Sequence, residues 1–313
     1  MTTSATSVNN EQLATIASRT PLQNAVRRFT RHRSAQVGMA ILGFLVLVAI
    51  FAPVLAPYDP IKPLRETKRR SPPCIHVFGC PADQTQHFFG IDSNQRDLLS
   101  RIIFGSRLSL EIGVSTVSFA IIIGVILGAV GGYAGGWTDN VIMRLMDVLL
   151  AFPSLLLAIA IVAVLGPGLI NALIAIAFVS IPVYARLMRA SVLQVKDQDF
   201  VSASRALGSS PIGILISHVL PNALTPLIVQ ATLGIASAIL DAAALSFLGL
   251  GAAPPTPEWG LMLGEERNSV FNAPHLVFIP GIAIMLTVLA FNLLGDGLRD
   301  ALDPRQINVG KIK

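Results

Sequence analysis

Five stretches of this chain, 34–58, 112–138, 148–185, 206–240 and 268–295, contain no Asp, Glu, Lys or Arg. Runs of that length restrict the fold more than any motif does. About 20 apolar residues wound as a helix cross the roughly 30 Å hydrocarbon layer of a bilayer. The 148–185 run is too long for one crossing, and Gly166-Pro167-Gly168 divides it into a tight hairpin between a third and a fourth span. The third span is expected to begin near Val141, with Arg144 and Asp147 at its wet end, and the fifth to occupy about 223–250. Charged residues make up 13% of the chain and hydrophobic ones 53%, against about 25% charge in an ordinary soluble domain. The expected fold class is an all-α polytopic membrane protein of six transmembrane helices. In the second run Gly124, Gly128 and Gly132 recur at four-residue spacing, which lets a neighbouring helix approach the backbone closely.

Positive residues are retained on the cytoplasmic side of a membrane, and Lys and Arg cluster at alternate loops. The N-terminal segment carries Arg19, Arg27, Arg28, Arg31 and Arg33, the fourth-to-fifth loop Arg186, Arg189, Lys196 and Arg205, and the tail Arg299, Arg305, Lys311 and Lys313. The long first loop also holds many basic residues, but its length brings it close to escaping the rule. The expected organisation is a cytoplasmic segment at 1–36, a first transmembrane helix at 37–57, an extracytoplasmic loop at 58–107, a transmembrane core at 108–300 and a cytoplasmic tail at 301–313. Both termini are then cytoplasmic, and the first span reads as an uncleaved signal-anchor. The net charge of +5 sits at membrane edges, where acidic lipid accounts for it, and no nucleic-acid module is visible.

Cys74 and Cys80, the chain's two cysteines, fall together in the long loop. An oxidising compartment allows a disulfide there, although spacing leaves two free thiols open and argues against zinc. No metal site and no catalytic constellation are expected. The sequence Gly-x4-Gly-Lys-[Ser/Thr] occurs nowhere, so any ATP that drives this chain binds another subunit. Ionisable groups at membrane depth point to ion-coupled transport, which makes Asp147 and Asp241 the residues to weigh. Arg144 stands three residues from Asp147 and offers an ion pair. Asp241 lies among Ala242, Ala243 and Ala244, a setting for a helix contact or a gate. A carrier built on inverted repeats shows broken spans in corresponding halves, and no convincing repeat appears, so an ion-coupled secondary transporter stays as the alternative.

The 195–221 segment is the one sizeable polar interruption in the apolar half of the chain. Phe200, Val201, Ala203, Ala206 and Leu207 offer a short apolar face, Gly208 ends that helix, and Pro211 opens a second segment before Pro221 turns the chain into span five. The small residues Ser202, Ala203 and Ser204 let the first helix seat deeply in a partner's groove. An interfacial helix lying on lipid fits the same local pattern.

Several blocks together resemble the second permease of dipeptide and oligopeptide ABC importers over nearly everything after residue 36. They are Phe89-Gly90-Ile91-Asp92 with Arg96-Asp97 and Ser100-Arg101, Gly131-Gly132-Tyr133 with Gly135-Gly136-Trp137, Arg144 with Met146-Asp147, Ala151-Phe152-Pro153, Leu245-Ser246-Phe247-Leu248-Gly249, Trp259-Gly260, and Asn292 to Asp300. The spacing Ala203, Gly208, His218, Leu220, Pro221 resembles that family's ATPase-coupling loop. The chain departs from the pattern at Ser202 and Ser204, at Asp241, where the family commonly has Glu, and at Gln95, where it commonly has Gly.

The resemblance implies a type I importer permease fold and a pore made with a second, similar permease subunit. It also implies two ABC ATPase subunits carrying ATP and Mg, an extracytoplasmic solute-binding protein, and a bacterial inner membrane around the complex. The implied cargo is a di- or oligopeptide, with nickel or another small solute as the alternative within importers. A membrane scaffold without a solute path is the alternative outside them. Ser202, Ala203, Ser204, Gly208, His218, Leu220 and Pro221 are the expected coupling residues, and no cofactor is expected on the chain itself.

Overall fold

A computed structural model describes residues 21–81 and 84–302 of the chain. Arg19 and the basic residues Arg305, Lys311 and Lys313 of the tail lie outside the described residues. In chain order the helices of eight residues or more are α1 Pro21–Arg31, α2 Arg33–Ile50, α3 Leu98–Ala134, α4 Gly136–Leu150, α5 Ser154–Leu165, α6 Leu169–Lys196, α7 Asp199–Ala206, α8 Pro211–Ala223, α9 Thr225–Phe247, α10 Trp259–Glu266 and α11 His275–Leu302. Five of them are long and apolar enough to cross a bilayer, and the bent pair α4–α5 makes a sixth span. Their outer faces carry Phe44, Ile122, Val164 and Ile170 exposed, as helices solvated by lipid require.

The third span, expected to begin near Val141, starts at Gly136 and is not one straight helix. It breaks at Ala151-Phe152-Pro153, and α4 and α5 meet at 91°. Pro153 supplies no backbone N–H, and it disfavours helical geometry at Phe152 before it. The second span is longer than expected. At 37 residues, about 55 Å at 1.5 Å per residue, α3 overruns the hydrocarbon layer, and residues 98–107 of the expected loop form its first turns. Asp97 starts it by accepting a hydrogen bond from Ser100 N at 2.8 Å.

α3 and α6 form the centre of the bundle, and the glycine row explains why. A Cβ on Gly124 would lie 2.6 Å from Tyr184 Cβ, one on Gly128 2.3 Å from the Ala185 carbonyl oxygen, and one on Gly132 3.0 Å from the Arg189 carbonyl oxygen. Only hydrogen atoms fit between these backbones. Around them Val117, Ala120, Ile176, Ile181, Ala185 and Leu245 close a buried core. On the other side, α2 packs along α11 through similarly thin contacts at Gly38 against Ala290 and Gly297 against Ala35.

The α3–α6 contact yields a prediction. Gly128→Ala should destabilise the bundle by about 1–3 kcal/mol through overpacking. Gly281→Ala, where nothing lies within 4 Å of the added methyl, should change stability by less than about 1 kcal/mol. Thermal unfolding of the two variants in detergent distinguishes crowding at this one contact from a general intolerance of alanine.

Candidate functional site

The 195–221 segment projects from the bundle as a small folded unit. α6 stops at Lys196, whose Nζ donates to the Gly132 carbonyl at 2.9 Å. That contact places a cation against the carbonyl end of α3. α7 follows, and Val201 is its one fully buried side chain. Val201 sits on a core made with Ala129, Met188, Val192, Ile214 and Val219. Phe200, Ser202, Ala203, Ala206 and Leu207 face outward, so the apolar face expected from sequence is mostly presented rather than buried, and Leu207 is 88% exposed.

Gly208 takes the left-handed conformation at φ +83° with nothing within 4 Å of a Cβ. Ser209 N donates back to the Ser204 carbonyl at 3.2 Å, which closes the end of α7. Ser210 then caps α8 by accepting from Gly213 N at 3.2 Å, with Pro211 as its first residue.

Within α8 the turn Leu215–Val219 widens to a π-helix. Pro221 has no N–H for the Ser217 carbonyl and its ring crowds that position, so the turn opens by one residue. Pro221 was expected to turn the chain into span five, but α8 runs through it to Ala223. The break falls at Leu224, where Pro226 opens α9. Of the expected coupling residues, Ser202, Ala203, Gly208 and Pro221 are exposed, and Ser204, His218 and Leu220 are half-buried.

Two ion pairs brace the same end of the bundle. Arg189 donates to both carboxylate oxygens of Asp139, at 2.5 and 2.6 Å. Asp147 pairs with Arg186 on α6 and not with Arg144. α4 lies against α6, so its two carboxylates, Asp139 buried and Asp147 exposed, two turns apart, meet two arginines one turn apart on the neighbour. Local i, i+3 spacing did not decide this partner.

The opposite end of the bundle carries a folded cap that sequence reading did not assign a role. Arg96 binds Asp92 at 2.6 Å and Glu265 at 2.8 Å. Arg101, fully buried, reaches the carbonyls of Pro60, Pro255 and Thr256 at 3.1 to 3.3 Å. His87 and Asp97 pair at 3.0 Å, and Cys74 and Cys80 are joined as a disulfide with Cα atoms 5.3 Å apart.

Burial pushes the Glu258 carboxyl above its ordinary range, although the N–H groups of Gly260 and Leu261 and the Ser246 hydroxyl oppose it. Burial also acts on Glu266, but there hydrogen bonds from Ser93 and Ser269 and the charge of Arg70 outweigh it and hold the carboxyl low. Gln95 makes the turn that glycine commonly makes, at φ +63°, with its side chain donating to the Thr67 carbonyl at 2.6 Å. The visible sign of this cap was a loop dense in paired charges between apolar runs.

A third feature is a recess in the side of the bundle. A cavity of about 190 Å³ opens between the α4–α5 elbow, α6 and α9, and its wall includes Gln230, Ser237 and Asp241. Asp241 and Asp147 are therefore not one site: the first lines this cavity and the second is an exposed pair with Arg186, outside the cavity's lining.

Bilayer-crossing helices, a folded projection at one end and an opening between broken and unbroken spans define a transport permease subunit. Residues 120–308 match the family described as binding-protein-dependent transport system inner membrane component. Residues 20–73 match the N-terminal transmembrane domain of oligopeptide transport permease C. The chain belongs to this family of permeases.

It is 50% identical to the di/tripeptide transport system permease protein DppC of Pseudomonas aeruginosa over 92% of this chain and 93% of that one. It is 46% identical to the dipeptide transport system permease protein DppC of Alkalihalophilus pseudofirmus, over 91% and 90%. The glutathione transport system permease protein GsiD of Escherichia coli is 48% identical, over 92% and 91%. In fold it resembles a chain of the MetNI methionine ABC transporter, with a TM-score of 0.55 at 18% identity over 66% of this chain and 98% of that one. The fold is that of a type I ABC importer permease.

Two outcomes follow from this geometry. Val201→Ala should cost about 2 kcal/mol of local stability and speed amide exchange across 199–208 while the α3 amides stay protected. For the cap, a depressed Glu266 contributes stability that is present above the ordinary glutamate pKa of about 4.3 and is lost as pH falls through the lower folded value. Glu266→Gln should therefore flatten the acid limb of the cap's melting curve and leave its position at neutral pH offset by a constant amount.

Proposed function

We propose that this chain is one of two permease subunits in an ATP-driven importer that moves short peptides delivered by a solute-binding protein into a bacterial cell. The assignment of cargo follows the relatives named for dipeptide, di/tripeptide and glutathione transport. The carrying observation is the form of the 199–210 projection. It is seated on its own buried core, braced by Lys196 and the Asp139–Arg189 pair, and presents small and apolar side chains outward. A lipid-lying helix has no use for such a rigid mounting, whereas a lever driven by another protein requires one.

In this reading the projection faces the cytoplasm with both chain termini, the cap faces outward, and the complex lies in the inner membrane. Two ABC ATPase subunits bind ATP and Mg and receive Ser202, Ala203, Ser204 and Gly208 in a surface groove. His218, Leu220 and Pro221 belong to the stiff strut behind them. Closure of the ATPases on ATP moves the projection as a body, and α6 and α9 on either side of it tilt to open the path first outward and then inward. The solute-binding protein docks at the cap and selects the cargo. An ion-coupled carrier has no need of this mounting, and the family to which the chain belongs works with a binding protein.

Dipeptide uptake by proteoliposomes holding the whole complex tests the reading: uptake should vanish without ATP and should ignore a proton gradient. Gly208→Trp should lower uptake per ATP hydrolysed by at least about tenfold, because the indole occupies space that is open in the free chain and filled by the ATPase in the complex. Gly208→Ala imposes the same left-handed backbone strain, of roughly 1–2 kcal/mol, without the bulk, and should keep most of the coupling. Normal coupling in Gly208→Trp removes the lever from this position.

A further inference from the structure

We infer that Asp241 is a subsite for the positively charged amine of the cargo as it passes through the permease, a role that rests on the peptide-importer reading above. Gln230, Gly234, Ser237 and Asp241 all line the same cavity. Their spacing of four, three and four residues puts them on one face of α9. Of the other polar residues of that helix, Thr232 donates to its own backbone at the Ile228 carbonyl and Ser246 accepts from Ala252 N, while Gln230, Ser237 and Asp241 form a polar stripe along the span, which lipid would reject. Ser180 and Tyr184, one turn apart on α6, stand on the facing wall.

The third wall is the elbow, where Phe152 and Ser154 contribute. Backbone outside helical geometry inside a span is tolerated where it is covered by protein or lines a water-filled space, and this elbow lines the cavity. The broken span and the polar stripe are independent signs of a wet path at the same place.

Within that path Asp241 carries the one charge on the lining. The neighbouring alanines show that it is not there for packing: Ala242 and Ala243 are buried, and the Ala243 backbone lies against Gly260 of α10, while Asp241 points the other way. No hydrogen bond or ion pair to Asp241 occurs among the described residues, and the arginines of α6 that face α4 are already committed to Asp139 and Asp147. A carboxylate in such a place gains a cation from the solute.

A divalent metal needs several ligands, and the described residues include no group of three His, Cys, Asp or Glu able to hold one. An ammonium needs one carboxylate and a few neutral acceptors, and Ser237 stands one turn from Asp241 on the same face of α9. The volume is below the roughly 300–1,000 Å³ of a pocket that encloses its ligand. It suits the amino end of a peptide in passage and not a tightly held whole.

The test uses Ser237→Cys in the complete complex, where Cys74 and Cys80 are paired and leave the new thiol alone among the described residues. Cationic and anionic methanethiosulfonates should modify it at rates whose ratio, relative to a free thiol in water, is raised roughly tenfold by the nearby carboxylate. In Ser237→Cys with Asp241→Asn that enhancement should disappear. With a neutral maleimide, a dipeptide should slow labelling, its N-acetylated form should not, and protection should be lost with Asp241→Asn and restored with Asp241→Glu. An unchanged reagent ratio, or equal protection by the acetylated peptide, overturns the subsite. These readings need no uptake. A wild-type complex that fails to transport with ATP would refute the importer, while the labelling still decides Asp241.

Discussion

The approach of α3 to α6 with no side chain between their backbones is the contact on which the rest of the molecule depends. Gly124, Gly128 and Gly132 let the helices meet along three turns, and van der Waals contact of this kind is what holds helices together where lipid is as apolar as the side chains. Because the helices meet so closely, the last turn of α6 arrives beside the end of α3. There Lys196 finds the Gly132 carbonyl, Arg189 finds Asp139, and Ala129, Met188 and Val192 become the floor of the projecting unit. Cβ atoms at these positions would part the helices and remove that floor.

The two ends of the chain's bundle are built from different chemistry. At the projection, a small apolar core and two ion pairs hold a unit whose outer surface is left uncommitted. At the cap, charged side chains are buried and almost all satisfied: Arg96 and Arg101 share Asp92 and Glu265, and Glu266 takes Ser93, Ser269 and Arg70. Breaking one partner of such a buried set leaves an uncompensated charge, at a cost of about 3–5 kcal/mol, so the cap is a stiff lid over the first turns of α3. One uninterrupted helix, α3, joins the lid to the floor of the projection.

Much of this was legible as a pattern along the chain. Charge-free runs give spans because the hydrocarbon layer is uniform and reads only length and apolarity. Gly166-Pro167-Gly168 gives a hairpin and Gly208 a helix end because each acts on its own backbone. The projection was legible for the same reason, as an alternation of polar and small residues bounded by Gly and Pro. Hydropathy did not reveal the 91° elbow at Ala151-Phe152-Pro153, since a bend leaves the composition of a span unchanged. The stripe Gln230, Ser237, Asp241 was present at helical spacing, but a stripe on one helix has no meaning until the facing wall is known.

Sequence by itself determined which segments are apolar enough to cross the membrane, the hairpin at Gly166-Pro167-Gly168 and which loop stands out, since these depend on solvation and on single-residue backbone preferences. Tertiary structure alone decided that Asp147 meets Arg186 and not Arg144, that Asp92 and Arg96 close on Glu265, and that Asp241 faces an opening rather than a neighbour. Each of these depends on groups carried by different segments of the chain. Their distance is set by how closely two backbones pack, a quantity that no spacing along one chain contains.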